Sequence, residues 1–146
     1  MKTDFETLKA LAAYTLNYLT EHKIVQYNVD VRLDIIEAMA TELGVGLSTD
    51  DDIRDQAIEE VEEKMGLVQG DITETEMYNH ARKEIIKAFN GEMVGGLYLV
   101  ESLNQLANRM RAFLLENDLI DDVFASDDEI VDFLIKVVGR FSPQRA

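Results

Sequence analysis

Apolar residues return every three to four positions along most of this chain, the period of a helix buried on one side. Thr3 and Glu6 have capping-box spacing, in which each side chain satisfies a free backbone N–H at a helix start. Phe5, Leu8, Ala12, Leu16 and Leu19 then make one stripe as far as about His22. A second helix is expected from near Asp30, burying Leu33, Ile36, Ala40 and Leu43 and stopping at Gly44, where glycine suits a left-handed cap. The third runs from about Asp51 to Met65 with Ile53, Ala57, Val61 and Met65 inward, ahead of Gly66. Thr73 with Glu76 opens a fourth, carrying Met77, Ala81, Ile85, Ala88 and Phe89 up to Asn90–Gly91. The fifth is the longest, about Glu92 to Asn117, with Leu103, Leu106, Ala107, Met110 and Leu114 on its inner face. Ser126 with Glu129 opens the sixth, whose Ile130, Phe133, Leu134 and Val137 point inward before Gly139. No strand alternation enters this reading. The expectation is an all-α fold of about six helices in a compact bundle. It forms one domain over 1–146, divisible into intertwined lobes 1–66 and 73–140, with 141–146 as a short tail.

The pattern also echoes itself, around residues 11–40 and 106–137. "LTEHKIV" (Leu19 to Val25) lines up with "LLENDLI" (Leu114 to Ile120), so that Tyr18 faces Phe113 and Glu21 faces Glu116. With two extra residues in the second copy, Leu33 falls on Ile130, Ile36 on Phe133 and Ala40 on Val137. Two explanations stay open: a true repeat, or the chance similarity of amphipathic helices. A true repeat would pack as two related helical pairs around a shared core.

The order "LTEHKIV", "DDDIRDQAIEEVEE", "YNHARKEIIKAF", "LLENDLIDDVF" resembles a bacterial helical family designated domain of unknown function five hundred and seven. The likeness lies in hydrophobic–charged helices, each ending in an apolar pair before an acidic link, and it spans most of the chain. It implies a helical fold and brings no activity or site residue.

At 146 residues, 47% hydrophobic and 29% charged, the composition is that of a folding chain. No apolar run reaches the roughly 18 residues of a membrane helix, and "MKTDFETLKAL" lacks the apolar core of a signal peptide. A cytoplasmic protein is the expectation. Absent cysteine removes disulfides, thiolate nucleophiles and cysteine metal sites.

Charge changes the picture most. The net of −15 concentrates in two blocks, −9 over Asp50 to Glu76 and −8 over Glu116 to Asp132, leaving the remainder near neutral. Direct nucleic-acid binding is disfavoured, because its affinity comes from lysine and arginine displacing counterions. "ATELGV" before a turn prompts a helix-turn-helix reading, but the recognition helix would lead with Asp50, Asp51, Asp52 and Asp55 toward phosphates. Those acids suit a helix N-terminus instead.

Little else resembles chemistry. An EF-hand frame from Asp118 puts Asp122 at position 5 and Glu129 at 12, yet Ile120 and Val123 occupy positions 3 and 6, which need a ligand and a glycine. Ile120, Val123 and Phe124 read better as anchors to the core. Glu76, His80 and Glu84 share one face of the fourth helix, but neither histidine has the glutamate three residues before it that a di-iron bundle uses. "GEMVGG" lacks the lysine of a P-loop; its Gly95 and Gly96 read as a close helix approach or a kink. The functional expectation is a non-enzymatic module without cofactor or metal that binds a basic protein. Asp50, Asp51, Asp52, Asp55, Asp121, Asp122, Asp127 and Asp128 are its candidate contacts. The alternatives are a carboxylate mimic of nucleic acid that occupies a DNA-binding protein, and a metal-dependent activity at Glu76, His80 and Glu84. A homo-oligomer stays open.

Overall fold

A computed structural model describes residues 3–48, 50–64, 74–87 and 93–141. Among these, six helices form: α1 (Thr3–Glu21), α2 (Arg32–Gly46), α3 (Asp50–Lys64), α4 (Glu74–Lys87), α5 (Leu103–Glu116) and α6 (Asp127–Gly139). The all-α bundle is therefore the fold, carried by three packed pairs, α1 with α2, α3 with α4 and α5 with α6. Short strands β1 (Val25–Gln26), β2 (Leu47–Ser48), β3 (Met93–Val94), β4 (Leu97–Leu99) and β5 (Asp122–Val123) complete it.

The stripes named from periodicity mostly face inward. Leu16, Leu19, Leu43, Leu106, Met110, Leu114 and Ile130 are fully buried, together with Leu11, Ile35 and Met39, which the stripes had not included, in one core drawn from α1, α2, α5 and α6. Each such side chain contributes roughly 1.5–3 kcal/mol over leaving it in water. The α3–α4 pair has its own small core of Ile53, Ala57, Ala81 and Ile85, which Tyr98 flanks. Lobes 1–66 and 73–140 thus each contribute to both cores. Phe141, expected in the short tail, is buried against Tyr14, ring centroids 5.4 Å apart, and residues 142–146 lie outside the described residues. Met65, Gly66, Thr73, Ala88, Phe89, Asn90 and Gly91 lie outside the described residues, as do the side chains of Thr3, Asp50 and Asp51.

Four expectations are corrected. The fifth helix begins at Leu103, not near Glu92, because 93–99 is a hairpin, so strands are present. Gly95 and Gly96 have φ of 55° and 88° and form its two-residue turn, a conformation glycine adopts without strain. They neither admit a helix nor kink one. Ser102 caps the shortened helix in a full capping box with Gln105, a signal present in "SLNQ". The second helix runs on through Gly44 to Gly46, so Gly44 is no cap. Leu33 is 72% exposed and Phe5 is 39% exposed, each one turn too early on its stripe.

The echo has a structural counterpart. Leu11, Ala12 and Leu19 match Leu106, Ala107 and Leu114 in burial, as the alignment requires. In the second helices, Ile36, Met39 and Ala40 match Leu134, Val137 and Val138, so the copies differ by one residue more than the sequence alignment allows. Exposed Leu33 consequently does not correspond to buried Ile130. The packing is two-fold in pattern: α1 contacts α6 as α5 contacts α2. The two links pair antiparallel across the middle, Val25 with Val123 and Gln26 with Asp122.

Candidate functional site

The second link is the acidic stretch. Ile120 is buried and Val123 packs against the core, while Asp121 N donates to Gln26 O (2.8 Å) and Phe124 N to Ile24 O (2.7 Å). Phe124 itself is 57% exposed, so of the three expected anchors two hold. Ser126 then caps α6, accepting from Glu129 N, while Glu129 accepts from Ser126 N at 3.0 Å. Those bonds hold the Glu129 carboxyl below the usual carboxylate range.

Asp121, Asp122, Asp127 and Asp128 are all exposed. Among the described residues only Asp127 of these has a basic neighbour, Arg111 Nη1 at 3.5 Å. Asp52 and Asp55 are exposed on α3, with Arg54 3.7 Å from Asp55. Along the same helix Gln56, Glu59, Glu60 and Glu63 line a hollow of about 190 Å³. The two acidic blocks therefore belong to different cores. Glu76, His80 and Glu84 are exposed on α4, and no three such side chains converge as a metal site among the described residues. Nor is any described helix long and apolar enough to cross a membrane.

The sequence reading missed a groove of about 650 Å³ lined by Glu42 of α2, Glu101, and Gln105, Asn108, Arg109, Ala112, Phe113, Glu116 and Asn117 from α5 and its end. Arg109 organises it. Its guanidinium donates twice to Glu101, Nε–Oε1 2.7 Å and Nη2–Oε2 3.2 Å, and once to Glu42 at 3.4 Å. The Glu101 bonds are the main cause of a guanidinium pKa raised above its ordinary value. Glu101 can sit there because Gly46 lies beneath it; a Cβ at Gly46 would collide with the Glu101 carboxylate and with buried Leu106. Spacing on α5 alone could have placed Arg109, Phe113 and Glu116 on one face, but nothing in the sequence links Glu42 or Glu101 to them.

No family model, curated protein or solved structure matches this chain.

Proposed function

We propose that the chain is an acidic helical module that binds a basic protein, with the second link as part of its contact surface. One observation carries the reading: the fold contains its own control. The first link performs the same structural task, an apolar pair anchoring a strand between two helices, with Glu21 and Asp30 offset by Lys23. The second does it with Glu116, Asp118, Asp121 and Asp122 and no base. The junction geometry therefore does not require the excess charge, and like charges on a short segment cost rather than contribute stability. Carboxylates held on a fixed ribbon meet a basic surface without first being ordered, which favours fast, salt-sensitive association. Membership of the bacterial family that the sequence resembles belongs to this proposal and adds no activity to it.

The test is a variant with Asp121, Asp122, Asp127 and Asp128 changed to asparagine, which retains capping capacity at the helix start. Because Asp127 also pairs with Arg111, melting is measured in parallel. The expected result is a folded variant that loses salt-sensitive partners from a native lysate and associates more slowly with them at low salt. Equal association rates for variant and parent would leave the block as a solvated helix junction. If the partner is a DNA-binding protein and DNA displaces the chain, the nucleic-acid mimic is the form this function takes.

A further inference from the structure

The two-fold pattern allows the groove to be compared with its counterpart. Arg109, Phe113 and Glu116 on α5, with Asn117 just past its end, correspond to Tyr14, Tyr18 and Glu21 on α1, with His22 just past its end. On that side the seam between α1 and α6 is filled by rings: Tyr14 packs on Phe141 at 5.4 Å and His22 on Phe133 at 5.0 Å. Between α2 and α5 no such ring packing occurs among the described residues, and the groove lies there. Its volume lies within the range of ligand sites, about 300–1,000 Å³.

Its charge is also unbalanced. Glu101 already satisfies Arg109 with both oxygens, and Glu42 touches the same guanidinium only at 3.4 Å. Glu116 is exposed and has no basic partner among the described residues. Three carboxylates thus face one cation, beside the half-buried ring of Phe113. Carboxylates lining a groove together with an aromatic ring suit a guanidinium, which can be bonded at its edge and stacked on its face. Glu116 also begins the acidic link, so the groove continues the surface assigned above.

We propose that the groove between α2 and α5 seats an arginine side chain of the basic protein partner, against Phe113 and within the field of Glu42 and Glu116, which line the same groove. This deepens the proposed function and rests on it. The probe is a peptide of three arginines separated by glycines, titrated calorimetrically at low salt, with a lysine analogue alongside. Glu42→Gln with Glu116→Gln is expected to weaken the arginine peptide tenfold or more. Glu59→Gln with Glu63→Gln, which removes equal charge from α3, should weaken it far less. Phe113→Leu changes no charge and should cost about two- to fivefold for arginine, the range of a cation–ring contact, and less for lysine. Melting curves check each fold, and the exposed Glu116→Gln alone still has to weaken binding. Equal losses from both charge pairs, with Phe113→Leu silent, would overturn the groove while leaving the basic-partner reading standing. If the parent binds neither peptide, the basic-partner reading falls and takes the groove with it.

Discussion

Replacing Thr15 with valine should stabilise this protein. Thr15 lies on the buried side of α1, 1% exposed, and its hydroxyl is the one buried side-chain polar atom without a hydrogen-bond partner among the described residues. A hydroxyl taken out of water and left unpaired costs roughly 1–3 kcal/mol. Valine keeps the branched shape and nearly the same helix propensity, putting a methyl group where the oxygen was. Some of the gain is offset because a methyl group is slightly larger than a hydroxyl in a packed core. A net stabilisation of about 1 kcal/mol is expected, equivalent to about 3 °C in Tm for a chain of this size. The corresponding position in the second half is Met110, 1% exposed, so the fold already accepts an apolar side chain there. In urea denaturation Thr15→Val should raise the midpoint at constant m-value, whereas Thr15→Ser, keeping the hydroxyl and losing a methyl, should lower the unfolding free energy by about 1 kcal/mol. A destabilised valine variant would mean that the hydroxyl has a partner, and would refute the reasoning.

Lys23 ends α1 in a left-handed conformation, φ 58°, with Ile24 N donating to Leu19 O and Lys23 N to Thr20 O. Lys23→Gly should therefore gain about 1 kcal/mol in thermal unfolding by removing the Cβ penalty; a neutral or negative change would contradict it. A double-mutant cycle with Arg109→Met and Glu101→Gln should give a coupling of about 1 kcal/mol, above an exposed pair and below a fully buried one. These side chains are 30% and 19% exposed, and a coupling indistinguishable from zero would mean the bidentate contact is not populated in solution. Glu129 is held below its ordinary value by Ser126, so its contribution is present above the unfolded pKa, about 4.3, and is lost as pH falls through the lower folded value. Glu129→Gln should accordingly narrow the stability difference between pH 6 and pH 3, and an unchanged difference counts against the bond.

Much of the helical frame could be read from the chain because its signals are local. The capping box at Ser126 and Glu129 and the period of Leu106, Ala107, Met110 and Leu114 need no tertiary context. Where the reading failed, tertiary packing decided. Residues 93–99 are too short and too uniformly apolar for period to separate strand from helix, and the glycine pair was the better guide. Leu33 and Phe5 match the helical period, but the neighbouring helices do not reach them. The groove was hidden for a different reason. Glu42 and Arg109 are brought together by the contact of α2 with α5, and sequence spacing carries no trace of that contact.

Pseudo-symmetry turns these differences into a way of separating folding from function. Where the halves agree, as at Leu11 and Leu106, Ala12 and Ala107, or Leu19 and Leu114, packing alone accounts for the residue, since both positions fill the same core. Where they diverge in chemistry at equivalent places, packing cannot be the reason for both choices. The links diverge in charge, and the seams diverge in filling, rings at Tyr14 and Phe141 against carboxylates around Arg109. Both divergences fall on the same half, and Glu116 belongs to both, as the last acid of the groove and the first of the link. An acidic patch arising only for solubility would have no cause to adjoin a groove between helices. A patch that receives a basic chain would, because the charge that draws the chain in and the cleft that holds its side chain must be within reach of each other.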